Sequence, residues 1–426
     1  MNDQASLHPY PSTAARNDGN GHGNGRRLAY VSGAVRVSTR SDAETGGPRA
    51  HILGVTSAFQ TLGWELNSYI MGDRVPGAIT HKSEHLMRGK VGALAADLAR
   101  IALRYSNQRR VFRELGQVDW VYERFASFQA LGKIFQRHGS VWILETNGLF
   151  YREAKTDRES MLLTDVARRF EVGAYRDCDV LICVSRTLRD IICAETGVDP
   201  NKILVVPNGV DTEFFHPDHH IPERHSDAFT VGFVGRLIAW QGIDVLLEAL
   251  SEVRREHNFD IKLTLAGDGS MSETWRRMAS ELGLSEHVTF LGQVPLTRVP
   301  AIIGGFDIGF SGQVELKTGG MYHSPLKIYE YMAMAKPVLA SAYDDSESVV
   351  RPGATGYLFR SGDRETLKSA LIRAYQMRDS LPLMGATARE QIIANHSWCT
   401  RVQQMVNGIT SIVENRTCGP SLAIAC

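Results

Sequence analysis

From residue 27 onward the chain alternates short apolar runs with amphipathic stretches. Apolar runs stand at Arg27–Ser32, Asp119–Tyr122, Val141–Leu144, Val180–Val184 and Ile203–Val206, and hydrophobic residues between them recur at helical spacing. A polar loop ending in Gly46-Gly47-Pro48 separates the first run from a helical pattern over His51–Leu62. Short, wholly apolar strands that alternate with helices predict a parallel sheet covered on both faces. The pattern breaks after Pro207-Asn208-Gly209, and Phe215–Asp227 is polar, irregular and rich in histidine. It restarts at Thr230–Val234 and continues through Lys262–Ala266, Val288–Leu291, Asp307–Phe310 and Pro337–Ala340.

The chain therefore reads as α/β, with two Rossmann-like domains in tandem. The expected divisions are a disordered tail over 1–26, a first domain over 27–210, a linker over 211–228, a second domain over 229–394 and a tail over 416–426. Between the last two lies a helix over 395–415, with Val402, Met405, Ile409 and Ile412 near helical spacing. That helix is free to pack on the second domain or to cross back to the first. Ligands of such sheets sit beyond the carboxyl ends of the strands, so two domains facing each other would hold theirs in the cleft between them.

A length of 426 residues suits two cores better than one. Lys plus Arg and Asp plus Glu both number 47, which removes the basic field of a nucleic-acid binder. The halves differ mildly: residues 27–210 carry 25 basic and 20 acidic side chains, against 20 and 25 in 211–426. Six cysteines without a CxxC pair or zinc spacing point to a reducing compartment. Residues 1–26 lack the apolar run of a signal peptide, and no apolar stretch approaches the roughly 20 residues that span a bilayer. A cytoplasmic location is the expectation. The segment Arg88–Glu114 mixes Arg88, Lys90, Arg100, Arg104, Arg109, Arg110 and Arg113 with Val91, Leu94, Leu98, Ile101 and Tyr105. It is either a solvated surface helix or a basic amphipathic one lying on an anionic membrane at the inner face.

Candidate chemistry gathers at strand ends in the second half. Arg236 follows Thr230–Val234 directly, where a guanidinium can grip phosphate oxygens bidentately. In Ser324-Pro325-Leu326-Lys327-Ile328-Tyr329-Glu330, Ser324 is placed to cap a helix whose first position suits Pro325. Lys327 and Glu330 then share a face, a cation for phosphate and a carboxylate for ribose hydroxyls. Each has an ordinary counterpart: a surface arginine in a turn, and an i, i+3 ion pair on a solvated helix. Ala266-Gly267-Asp268-Gly269 and Thr355-Gly356 read singly as turns. No paired acidic motif for a metal stands at a strand end, so neither metal nor cofactor is expected.

Taken in order, GGPRAHI (46–52), VSRTLRDII (184–192), ILVVPNGVDTEFF (203–215), VGFVGRL (231–237), WQGIDVLLEAL (240–250), LTLAGDGS (263–270), VTFLGQV (288–294) and SPLKIYEYMAMAKPVLAS (324–341) resemble the retaining glycosyltransferases of family 4, over about residues 27–400. The resemblance is nearest to the subgroup with an SPLK-type helix and an E-x-N segment, here Glu145-Thr146-Asn147. It implies the GT-B fold and metal-independent transfer of a hexosyl group, with retention, from a nucleotide-diphosphate sugar to a saccharide or lipid-linked acceptor. The implied pathway is exopolysaccharide or another surface glycan.

The same resemblance implies that Arg236 contacts the donor diphosphate and that Glu330, the second glutamate of an E-x7-E pattern, holds the ribose. Ser324, Leu326 and Lys327 would face the phosphates, with Gly46 and Gly47 approaching from the other domain. Arg236, Lys327 and Glu330 are thus the candidate catalytic set. Glu145 and Asn147 would line the acceptor side, where His51 at the opening of the first helix also falls. Two departures stand out: Tyr322 occupies the place of the first glutamate, and Gln241 the place of the lysine after G-R-L. They leave open an alternative, a catalytically inactive partner that binds a nucleotide sugar for another glycosyltransferase.

Overall fold

The computed structural model describes residues 25–40, 46–75, 90–156, 161–315 and 319–417. Strands β1 (Arg27–Ser32), β2 (Glu65–Ile70), β3 (Trp120–Arg124), β4 (Val141–Thr146), β5 (Val180–Cys183) and β6 (Ile203–Val205) form one sheet in the order β2-β1-β3-β4-β5-β6. Strands β7 (Phe229–Val234), β8 (Ile261–Ala266), β9 (Val288–Gly292), β10 (Ile308–Ser311), β11 (Val338–Ala342) and β12 (Gly356–Arg360) form a second, ordered β12-β11-β10-β7-β8-β9. Every pairing in both is parallel. Central strands are buried along most of their length because helices cover both faces, which is why they read as continuous apolar runs rather than alternating ones.

The chain groups into two compact units. One holds the first sheet, the stretch leading up to Ser324, and the last helix, Trp398–Thr417. The other holds the second sheet and runs from Val210, interrupted by that stretch, to Ser397. The last helix therefore returns to the first sheet's unit, where it packs against the first helix, Gly46–Thr61. Their contact is close because Gly54 has no side chain: a Cβ there would stand 2.1 Å from Nε1 of Trp398. The preceding helix ends at Asn395, so the expected single helix from 395 is broken at His396-Ser397, between two helices.

The first helix starts at Gly46, five residues before the expected run, so Gly46 and Gly47 form its first turn rather than a loop before it. Pro48 is tolerated there because first-turn amides have no intrahelical acceptor. His51 consequently lies inside the helix, not at its opening, and is buried.

Candidate functional site

In the second sheet β7 has β8 on one side and β10 on the other, so the winding reverses between β7 and β10. Sheets of this kind open a crevice at that point. Here the opening has a visible cause. Backbone pairing between β10 and β7 covers only Ile308 with Val231 and Gly309 with Gly232. Beyond it the hydroxyl of Tyr331 accepts the Val234 amide at 2.8 Å and donates to Phe310 O at 3.4 Å, bridging two strands that have begun to part. Tyr331 belongs to the helix Leu326–Ala333, which follows β10 and also carries Lys327 and Glu330.

Arg236 leaves the end of β7 through Gly235, whose φ of 143° is left-handed space open to glycine. The next strand end packs tightly on this turn: at Gly267 a Cβ would meet Gly235 O at 1.9 Å. The turn is thus fixed, while the Arg236 side chain is exposed and has no hydrogen-bond or ion-pair partner among the described residues. Lys327 is buried, with its ammonium 4.6 Å from the Phe233 ring centroid and donating to Gln241 Oε1 at 2.6 Å. Gln241, which stands where the resembled family has lysine, therefore holds the remaining lysine in place.

Burial pushes the Lys327 ammonium down to about 7, with Glu330 opposing the shift. Burial likewise raises the Glu330 carboxyl to about 7, opposed by Lys327. The two are coupled through space without forming an ion pair within 4.0 Å. A fixed turn, two cations and a carboxylate without a hydrogen bond among the described residues thus surround the place where the sheet opens. Such an arrangement favours an anion with a polyhydroxyl group attached.

Leu326 opens this helix and is partly buried. Ser324 does not cap it. The cap position is Pro325, which makes no side-chain cap bond, and the Ser324 hydroxyl instead accepts the Asn208 amide at 2.9 Å. The reason is the residue between: the helix begins one position later than expected, which leaves Ser324 outside cap reach. Tyr322 is buried within the first sheet's unit and donates to Glu153 Oε1 at 2.9 Å, while the Ser185 hydroxyl donates to its carbonyl at 2.7 Å.

The acceptor-side candidates form a buried network in the first sheet's unit. Glu145, at the end of β4, accepts from Tyr122 at 2.9 Å and from Arg124 at 3.0 Å, and it faces His51 Nε2 at 2.9 Å. Asn147, with its amide oriented to suit its neighbours, donates to Glu145 Oε1 at 2.9 Å and accepts from Arg124 at 2.7 Å. Burial pushes the Glu145 carboxyl up, but His51 and Arg124 together outweigh it and hold the group at about 2. His51 also meets Asn208 Oδ1 through Nδ1 at 2.8 Å and packs edge-on against Trp398. Sequence reasoning missed Tyr122, Arg124 and Asn208. Arg124 ends β3, a usable signal, whereas Tyr122 lies in the middle of that strand and Asn208 reads as a plain turn residue. Among the described residues no group of three His, Cys, Asp or Glu side chains has metal-binding geometry.

Residues 45–214 match the family described as Glycosyltransferase Family 4, and residues 228–377 that described as Glycosyl transferases group 1. The chain is 31% identical over 234 residues to the GDP-mannose-dependent alpha-(1-6)-phosphatidylinositol monomannoside mannosyltransferase of Mycolicibacterium smegmatis, covering 53% of this chain and 60% of that one. It thus spans well under two thirds of that relative's length. Among solved structures, sucrose-phosphate synthase from Thermosynechococcus elongatus superposes with a TM-score of 0.66 at 16% identity, over 91% of this chain and 99% of that one. Anabaena HepE in complex with UDP and glucose gives 0.61 at 16% identity, over 91% and 100%. At such identities the likeness speaks for the fold alone, the two parallel sheets of GT-B.

Proposed function

Because the chain belongs to the group 1 and family 4 glycosyltransferases, we propose that it moves a hexosyl group from a nucleotide-diphosphate sugar to a saccharide or lipid-linked acceptor, with retention and without a metal. The observation that carries this reading is the unpartnered Arg236, whose turn packs on buried Lys327, with part-buried Glu330 on the same helix, where β7 and β10 part. Breaking the anomeric C–O bond builds negative charge on the departing diphosphate, and cations held in a desolvated place lower that barrier. Arg236 and Lys327 supply them, with Gln241 holding Lys327 in register. Glu330 accepts from the ribose hydroxyls. Of the other donor candidates, Leu326 opens the same helix, while Ser324, Gly46 and Gly47 belong to the first sheet's unit. The new bond to the acceptor oxygen forms on the face the diphosphate leaves, and the acceptor's proton passes to the departing phosphate oxygen.

His51, Glu145 and Asn147 belong to the acceptor side. A lipid-linked acceptor, on a route to exopolysaccharide or another surface glycan, is in keeping with the phosphatidylinositol monomannoside in the name of the Mycolicibacterium smegmatis relative. Among the described residues no helix is long and apolar enough to cross a membrane. The helix Lys90–Leu115 offers a peripheral contact instead: Val91, Leu94, Leu98 and Tyr105 lie exposed along one face, and Arg109, Arg110 and Arg113 follow them. This arrangement suits an anionic bilayer.

The test is turnover with a panel of labelled nucleotide sugars. Arg236→Ala and Glu330→Ala should each lose at least about 100-fold in rate with circular dichroism unchanged. Near-normal rates in both variants refute the assignment.

A further inference from the structure

Asn208 uses all of its polar groups. Its backbone amide donates to Ser324 Oγ at 2.9 Å, and its side-chain amide donates to Ser324 O. Its carbonyl accepts from Arg401 Nε of the last helix at 3.3 Å. Because the NH2 group is committed to a carbonyl, Oδ1 must be the atom facing His51, and His51 Nδ1 must carry a proton to donate to it. The other ring nitrogen faces the Glu145 carboxylate, which can only accept. His51 is therefore a donor on both sides, locked between Asn208 and Glu145. It has no lone pair with which to take a proton from an acceptor.

Asn208 thus joins two things that sequence places far apart. On one side is the His51–Glu145 pair. On the other is Ser324, three residues before Lys327, on a stretch also anchored by Tyr322 to Glu153 and Ser185. The bonds to Ser324 and to His51 come from opposite ends of one planar amide, so neither end can shift without moving the other.

We propose that Asn208 is a positioning residue of the transfer reaction, setting the acceptor-side His51–Glu145 pair in register with the segment that enters the helix bearing Lys327 and Glu330. The inference rests on the donor reading above. Occupation of that helix by a nucleotide then changes the surroundings of the His51 ring, although His51 need not touch the nucleotide.

The experiment observes the ring nitrogens of labelled histidine in the full-length protein by NMR, with the His51 signals assigned from His51→Gln. UDP and GDP are the probes, and their affinities are measured in parallel by calorimetry. Saturating nucleotide should shift both His51 ring signals in the wild type. In Asn208→Ala the shift should vanish while affinity stays within about threefold, a difference of about 0.65 kcal/mol. Asn208→Asp keeps the acceptor for His51 but sets a carboxylate oxygen against the Ser324 carbonyl, so it should also lose the shift. It covers the case in which the alanine variant does not fold. Ser324→Ala, which leaves the side-chain amide bond to the Ser324 carbonyl in place, should retain the shift. A wild type that binds nucleotide with its His51 signals unmoved, or an Asn208 variant that keeps the full shift, overturns the link alone. Absence of binding by either nucleotide overturns the donor reading, and the link with it.

Discussion

Replacing Glu145 with glutamine isolates the charge of the buried network around it, since the side chain keeps its shape. Four donors converge on this carboxylate: His51, Tyr122, Arg124 and Asn147. An amide offers one acceptor oxygen, and its NH2 group would face a donor. Glu145 is buried, and its carboxyl is held at about 2 rather than its ordinary 4.5. At about 1.4 kcal/mol per tenfold change in proton affinity, that difference is worth about 3 kcal/mol of folding stability at pH 7. Removing one partner of a buried charge pair costs a comparable amount, about 3 to 5 kcal/mol.

The sign fixes the pH dependence. The folded-state value is depressed, so the stabilisation is complete above 4.5 and is lost as pH falls from there through 2. Urea unfolding followed by fluorescence should place Glu145→Gln about 3 kcal/mol below the wild type at pH 7, and the gap should close to roughly half by pH 3.5. A difference under about 1 kcal/mol at pH 7, or a gap that stays constant with pH, refutes the view that ionised Glu145 is what holds this network together.

Three further outcomes follow from the donor side and the surface. Lys327 is pushed down to about 7, and an arriving diphosphate restores its proton, so nucleotide affinity should fall about tenfold for each pH step above 7. Calorimetry at pH 8 in buffers of different ionisation enthalpy should register proton uptake, and a flat profile from pH 6.5 to 8.5 contradicts it. Gln241→Ala leaves the buried ammonium without its 2.6 Å acceptor and should weaken nucleotide binding by about tenfold, read in the same titrations. Reversing Arg109, Arg110 and Arg113 to glutamate should abolish sedimentation with phosphatidylglycerol vesicles at low salt while leaving the melting temperature within about 2 °C. Equal sedimentation of variant and parent removes the membrane contact.

Strand periodicity carried most of the fold, because buried parallel strands are apolar on both faces and the runs stand out at Val141–Thr146 or Ile261–Ala266. Arg236 is a candidate on local pattern because it comes just after β7, and Lys327 and Glu330 because they stand three apart on one helix. What failed to show was decided by contacts far along the chain. Ser324 looks like a cap, but its hydroxyl is taken by Asn208, 116 residues away. Tyr322 looks like a lost sugar ligand, yet its hydroxyl goes to Glu153, 169 residues away. The first helix began early at Gly46 because glycine and proline, which argue against a helix interior, cost little in a first turn.

The central claim is that Arg236 and Lys327 grip a diphosphate. Calorimetric titration with UDP, GDP, ADP and TDP tests it most directly. Saturable binding of at least one of the four is expected, weakened about 100-fold or more in the Arg236→Ala, Lys327→Met double variant. No heat from any of them, or equal affinity in the double variant, would contradict it.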